Sequence, residues 1–428
     1  MSSPGRRESK ILDQTGERHP SQSRTIAVVC VLFFLVYLGN ALWLTLFPNY
    51  LLRLGMSSLL IGVTLVVYTA SLSLTYLPAG RLSDKLGRRP MIIAGVSLLT
   101  LSTLCLGLAT QAETTILAVV GQGVGLGLLA PSGNALISDA VSGRGAGFVF
   151  SIYQIATLSA AIVGAFGAGV LATSLGFPTM FLLTAVLTGF TAVFGYLTVP
   201  ETMTRKAGGY ASVVSESLQS SIVGTVRMLR SNRELALLTG ALAIHSIAFA
   251  IINPFIPLYA EKGIRLDISQ VGIIMALWNA GLTVAQIPSG RMTDRVGARA
   301  TLLAHFILSS FSWVIFASST NFVSGIATIL FFGVVGAMDM PARRTIMIEY
   351  ATAEAGKATI IGSLDAVTGL TGLVGPLIGG FLWEQMGYAV PFQAAGLINA
   401  FACVPLIVIM RRRVGHGSAT TASHAASE

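Results

Sequence analysis

Charge is scarce in this sequence. Only 11% of its 428 residues are Asp, Glu, Lys or Arg, against 53% that are hydrophobic. A soluble domain carries about a quarter charged residues, so a water-facing surface cannot be built from those present. Cysteine is equally sparse. Cys30, Cys105 and Cys403 lie within apolar stretches and read as small core residues, with no disulfide framework and no metal-ligand spacing. The net charge of +9 sits in short blocks between apolar runs, without a basic face interleaved with aromatics, which argues against nucleic acid as a partner. Gly121, Gly123, Gly125 and Gly127 follow no strand and precede no lysine, so they are not a nucleotide loop and read instead as sites of close helix packing. No cofactor motif, catalytic constellation or metal site is expected, and an enzyme is not the reading.

What the chain has in abundance is apolar length. Runs near the roughly 20 residues needed to cross a bilayer occur at 25–47, 57–80, 91–110, 115–138, 146–173, 177–199, 234–260, 269–290, 300–318, 321–348, 357–384 and 388–410. The expectation is an all-α integral membrane protein of twelve transmembrane helices. Residues 1–24 read as a disordered tail, 25–199 as an N-terminal six-helix bundle, 200–233 as a polar linker, 234–410 as a second six-helix bundle, and 411–428 as a tail that is irregular from residue 414. Of the 27 basic residues, 24 fall on one side of this arrangement and only Arg53, Lys262 and Arg265 on the other. The positive-inside rule then places both termini and the linker in the cytoplasm, with the protein in the inner or plasma membrane.

The two halves repeat at an offset near 210. Pro78, Gly80, Arg81, Asp84 and Gly87 recur as Pro288, Gly290, Arg291, Asp294 and Gly297. Gly62 recurs as Gly272, Pro131 as Pro341, and Asp139 as Glu349. Pro48 and Tyr50 recur as Pro257 and Tyr259, one residue out of step. Gly164, Ala168 and Gly169 recur as Gly375, Gly379 and Gly380 at an offset of 211. An even number of helices per half makes the repeat parallel, an arrangement that places a substrate site between the halves. In the repeated loop, glycine permits tight turning and close helix approach. Asp84, at a helix end, can accept from a neighbouring helix N-terminus or pair with an arginine. Arg88 and Arg89 can meet lipid headgroups or acids such as Asp139.

The segment from Gly80 through Arg89 resembles the helix 2–3 signature of the major facilitator superfamily, and the segment from Gly290 through Arg299 resembles a weaker copy of it. The resemblance covers residues 25–410 and is nearest in look to the drug:proton antiporter branch. It implies the major facilitator fold, a lipid bilayer as surroundings, a monomer as the working unit, and a loop that holds the cytoplasmic side shut in the outward-facing state. It also implies that spans 1, 4, 7 and 10 line the central cavity. The sequence departs from the branch in span 4, where Val119 stands four residues before Gly123 in place of an arginine. It departs again in span 5, where Gly164-Ala165 lacks the branch's proline. The pattern Gly375-Pro376 with Gly379 and Gly380 stands in span 11 instead, as a helix-packing motif.

Ionisable groups inside a span cost about 2.5–3.5 kcal/mol on insertion scales and mark function by default. Asp339 and Arg343 in span 10, Asp365 in span 11 and His245 in span 7 are the candidates for proton coupling or substrate contact. Competing readings are an ion pair between Asp339 and Arg343, four residues apart, a pair between Asp365 and Arg344, and a hydrogen-bonded interior histidine. Uncharged cavity candidates are Asn40 and Trp43, Gln122 and Asn134, Gln154, Asn253, and Trp278 with Asn279. The function expected is secondary transport of a small, mostly neutral or amphipathic molecule, with proton-coupled export ahead of uptake by symport or uniport and of a sensor role. Asp84→Asn is expected to insert normally and to lose most transport. Rates equal to the parent at matched expression would remove the loop from gating.

Overall fold

The computed structural model describes residues 22–140, 146–201, 226–350 and 357–425. Nearly all of the expected N-terminal tail, most of the 200–233 linker, and the side chains of Arg81 and Asp139 lie outside the described residues. Twelve helical spans are long and apolar enough to cross a membrane. They are α1 (Ile26–Arg53), α2 (Ser58–Gly80), α3 (Arg88–Leu108), α4 (Ala112–Ile137), α5 (Ser151–Leu175), α6 (Phe177–Thr198), α7 (Arg233–Lys262), α8 (Ile268–Val296), α9 (Ala298–Phe316), α10 (Phe322–Glu349), α11 (Leu364–Met386) and α12 (Val390–Arg411). No strand occurs among the described residues. Large apolar side chains such as Leu117, Val186, Leu197, Val284 and Ile287 face outward, as a lipid-surrounded bundle requires. The final helix continues to Ala425, so residues 414–425, expected to be irregular, are helical. Their alanines favour helix and no proline interrupts them.

Four spans are broken, and a proline accounts for each break. The helix of α1 stops at Leu44 and resumes at Phe47 with Pro48 in its first turn. α7 passes through a short 3-10 turn at Asn253–Phe255, containing Pro254, before Ile256 and Pro257 restart it. α10 breaks after Gly336 and resumes at Asp339, two residues before Pro341. α11 breaks after Gly372 and resumes at Gly375 with Pro376. A proline lacks the donor for the i−4 carbonyl and crowds it, so tolerance is greatest in a first turn. Pro131, the repeat partner of Pro341, stays inside an unbroken helix, so the α10 break has no counterpart in α4.

Repeat-related details are visible in the backbone. Gly87 and Gly297 end the helices Ser58–Leu86 and Ile268–Val296 with φ of 106° and 95°, a region where side chains are strained. Tyr50 donates to Ala109 O at 3.1 Å, and its partner Tyr259 donates to Ala317 O. These links hold equivalent places at what we term the Gly55 end, after the turn between α1 and α2. The opposite end, rich in arginine, is the basic end.

A single apolar cluster spans both halves at the Gly55 end, including Phe47 and Leu51 of α1, Ala168 of α5, Phe255 and Ile256 of α7, and Trp383 of α11. Toward the basic end the packing divides into one cluster within residues 29–199 and another within residues 235–409. The joint cluster depends on backbone meeting backbone. A Cβ on Gly62 would lie 2.2 Å from Pro376 O, and one on Gly380 would lie 2.5 Å from Ser58 O. In the repeat-related contact, a Cβ on Gly169 would lie 2.8 Å from the Cα of Gly272, and one on Gly272 would lie 2.6 Å from the Cα of Gly169. Small residues let helices approach this closely. We expect Gly169→Val to unseal this end. A cysteine placed at Asn253 would then react with a membrane-impermeant maleimide applied from the Gly55 side, and would not react in the parent background; equal labelling in both would show that the glycine contact does not hold the seal.

Candidate functional site

Between the halves lies a cavity of about 440 Å³. Residues at the breaks in α1, α7 and α11, namely Thr45, Asn253 and Pro376, reach its wall, and Asn40, Tyr68, Thr69, Ser246, Trp278 and Asn279 add to its polar lining. Apolar wall comes from Leu65, Phe249 and Met275, and no charged side chain lines it among the described residues. Asn40 accepts from Trp43 Nε1 at 3.2 Å, so Trp43 orients a wall residue while itself staying buried away from the cavity. Gln122 is also absent from the wall. It donates to Thr103 Oγ1 at 2.7 Å, a link between α4 and α3 inside the N-terminal half. Asn134 and Gln154 are exposed.

The cavity adjoins a second chamber of about 210 Å³ within the C-terminal half, with Ser246, Phe249 and Trp278 common to both walls. Here the structure gathers His245 of α7, His305 of α9, and Asp339 and Arg343 of α10. The break before Asp339 puts this carboxylate in the first turn of the resumed helix, where a negative charge is favoured. Asp339 and Arg343 are ion-paired one turn apart. One carboxylate oxygen of Asp339, Nε of Arg343 and Nε1 of Trp278 are buried without a partner. His245 Nδ1 lies 2.8 Å from Asn399 Oδ1, His305 Nδ1 lies 2.9 Å from Val335 O, and the two Nε2 atoms are 3.4 Å apart.

The sequence suggested no intramembrane cluster of this kind. His305 was missed, although it met the same criterion as His245, an ionisable group inside an apolar run. Its meeting with His245 is a tertiary contact across 60 residues, and spacing does not encode it. Nearest atoms of His245, His305 and Asp339 lie within 4.8 Å of one another. A dication there would sit beside Arg343 and compete with it for Asp339, a poor electrostatic fit. Asp365 stands apart from both chambers, paired with Arg344 at 2.8 Å.

The repeated loops lie at the basic end. Asp84 pairs with Arg88 on its own half, and Arg88 is also within 3.3 Å of Ser83 Oγ. Asp294 has no such partner one turn on, because Ala298 stands there. Glu201 accepts from the backbone N–H groups of Arg88 and Arg89 at 2.9 and 3.2 Å, capping α3. A Cβ on Gly87 would lie 2.3 Å from that carboxylate, so Gly87 is needed for space as well as for its φ. Gly80 and Gly290 have open space where a Cβ would project, and close approach does not account for them. In the other half Arg299 binds Glu349 at 2.5 Å, and Tyr350 donates to Glu234 at 3.0 Å. At the Gly55 end Asn49 donates across the halves to Pro257 O at 3.1 Å and Glu261 at 2.7 Å. Gly375 and Gly379 pack on α7, and Gly380 packs on α2.

The profile of the Major Facilitator Superfamily matches residues 29–262 and 238–426. The multidrug resistance protein MdtG of Proteus mirabilis (strain HI4320) is 24% identical over 90% of this chain and 95% of its own. Multidrug resistance protein 2 of Bacillus subtilis (strain 168) is 20% identical over 88% and 93%. Among solved structures, a bacterial homolog of the human lysosomal transporter Spinster superposes with a TM-score of 0.77 at 13% identity, over 92% of this chain and 98% of that one. The nucleoside transporter NupG superposes with 0.75 at 14%, over 90% and 99%.

Asp339 and Arg343 are part-buried, with 16% and 18% of their side chains exposed, so removing one member strands the other at less than the roughly 3–5 kcal/mol of a fully buried pair. Asp339→Asn is therefore expected to lower the thermal unfolding temperature in detergent by several degrees, and Arg343→Met added to it to restore much of the loss. Equal temperatures for parent and single variant would show that the pair carries no stability.

Proposed function

The chain belongs to the Major Facilitator Superfamily and is a multi-pass membrane transporter, and from that premise we propose that it exports a small amphipathic organic molecule, neutral or weakly cationic, in exchange for protons. The uncharged cavity between the halves is the observation that carries this reading. Its asparagines and Ser246 offer directional hydrogen bonds, and Phe249, Trp278 and Met275 offer apolar surface that accepts many shapes. A phosphorylated or multiply anionic molecule would find no cation among the described residues of that wall. The names of two relatives, both multidrug resistance proteins, point the same way.

The bias of 24 basic residues to one side supports a cytoplasmic basic end. With that orientation the sealed Gly55 end faces outward, and the cavity belongs to a state loaded from the inside. Transport then proceeds by alternating access, with each half moving largely as a rigid body about the site. In this state Asp84 is spent on Arg88. It becomes available to a neighbouring helix end only when the basic end closes, which is the gating role assigned to the loop. Protons are assigned to the ionisable chamber beside the cavity. Val119 and Ala165 depart from the drug-branch pattern, and among the described residues the ionisable chamber lies in the C-terminal half.

Growth of an efflux-deficient host against a broad panel of toxic small molecules tests this. Wild type should raise tolerance to some amphipathic compounds at least four-fold over empty vector, and Asn253→Ala should narrow or weaken that protection. Sensitisation by wild type would indicate uptake, and identical growth of all strains would remove multidrug export.

A further inference from the structure

The hydrogen bonds around His245 and His305 fix which nitrogens carry protons. Val335 O can only accept, so His305 Nδ1 is a donor, and Ser309 Oγ lies 3.2 Å from the same atom. Asn399 Nδ2 donates to Phe306 O at 2.8 Å and to Ser310 Oγ at 3.1 Å. Its oxygen is thereby turned toward His245, and His245 Nδ1 is a donor as well. A neutral imidazole carries one N–H. Both rings have used it, and two bare Nε2 lone pairs face each other across 3.4 Å in a buried chamber. Two acceptors at this distance repel unless something positive lies between them. A hydrogen bond there needs one proton more than the two neutral rings own.

We infer that His245 and His305 form a single site for one transported proton, held between their Nε2 atoms. The proton comes from water at the open side and bonds to one Nε2, the other Nε2 accepts the hydrogen bond, and the ring pair gains one positive charge. The inference deepens the proposed proton coupling by naming its site. The charged groups facing the pair are Asp339 and Arg343 of α10. The described neighbours from α8 and α12, Trp278 and Asn399, are uncharged, as is Thr368 of α11, which holds Ser246 beside His245. Asp339, with an oxygen free of partners, balances the added charge, and Arg343 keeps that balance shallow so that the proton can leave. The two chambers share Ser246, Phe249 and Trp278. A proton on the pair therefore raises the cost of a cationic molecule next door, and the two occupants exclude one another.

The test uses the full chain in lipid nanodiscs with no gradient imposed. Trp313 lies 5.8 Å from His245, ring to ring, and a charged imidazole quenches indole emission. Tryptophan emission should fall as pH is lowered from 8 to 5, and the quench should shrink at least five-fold in His245→Gln and equally in His305→Gln. Potentiometric titration over the same range should count one proton more for wild type than for the double variant. Two protons, or a quench retained in either single variant, would overturn the shared site. Asn399→Leu guards against misfolding as an explanation. It keeps both histidines but frees His245 to move its N–H to Nε2, so the pair bonds without an added proton and the quench should likewise vanish; full retention in that variant would overturn the tautomer argument. Coupling is tested separately by adding ethidium in weak buffer and reading proton release with an indicator dye. About one proton per bound ethidium supports coupled export. No release with the quench intact would leave the proton site standing and remove the exchange reading.

Discussion

At the Gly55 end the halves are joined by backbone lying against backbone, and four positions must lack a Cβ for this to happen. Gly62 and Gly272 are repeat partners, as are Gly169 and Gly380, and each meets the other half within a distance that no side chain could share. The cavity exists because the halves touch here and part below. Contacts of this kind gain many small dispersion terms and bury few charges. They can form and separate without the desolvation penalty that a buried ion pair imposes. Asn49 and Glu261 add direction at the rim.

The gate is symmetric and the chemistry is not. Repeat-related glycines and tyrosines serve both halves alike, yet among the described residues the ionisable chamber lies in the C-terminal half. Pro341 stands beside Asp339, whose counterpart at the repeat offset is Leu129. It interrupts α10 and places Asp339 at the start of a fresh helix, whereas Pro131 leaves α4 continuous. The N-terminal half holds a buried neutral pair, Gln122 with Thr103. On the proposed reading, the repeated scaffold would supply motion through what its halves share and specificity through where they diverge.

Much of this was legible in the sequence. Hydrophobic length gave the twelve spans, because a bilayer sets a ruler that soluble folds lack. The repeat gave the turns at Gly87 and Gly297, because a positive φ selects glycine. The pairing of Asp339 with Arg343 followed from one helical turn of separation. What escaped depended on contacts distant in the chain. His305 and Asn399 meet His245 across 60 and 154 residues. Glu201 reads as linker in the sequence, and only a contact across 113 residues puts its carboxylate on the α3 N-terminus. Trp43 and Gln122 carried the polarity expected of a cavity wall but face partners within their own half. Polarity announces that a group needs a partner without saying whether the partner is substrate or protein.

At the basic end every described tie is internal to one half: Glu201 and Arg89 fasten α6 to α3, while Arg299 with Glu349 and Tyr350 with Glu234 fasten α9 and α7 to α10. Each half is therefore braced like a beam. A 29-residue helix such as that of Ile268–Val296 is about 44 Å long. If such a beam tilts by about 10° around its middle, each tip travels about 4 Å by the same 1.5 Å rise per residue, in opposite directions. That travel is ample to part glycine contacts at one tip and to bring arginine-bearing turns together at the other. On the proposed alternating-access reading, the two gates would need no signal passed between them, because they would be the two ends of one lever whose fulcrum is the cavity.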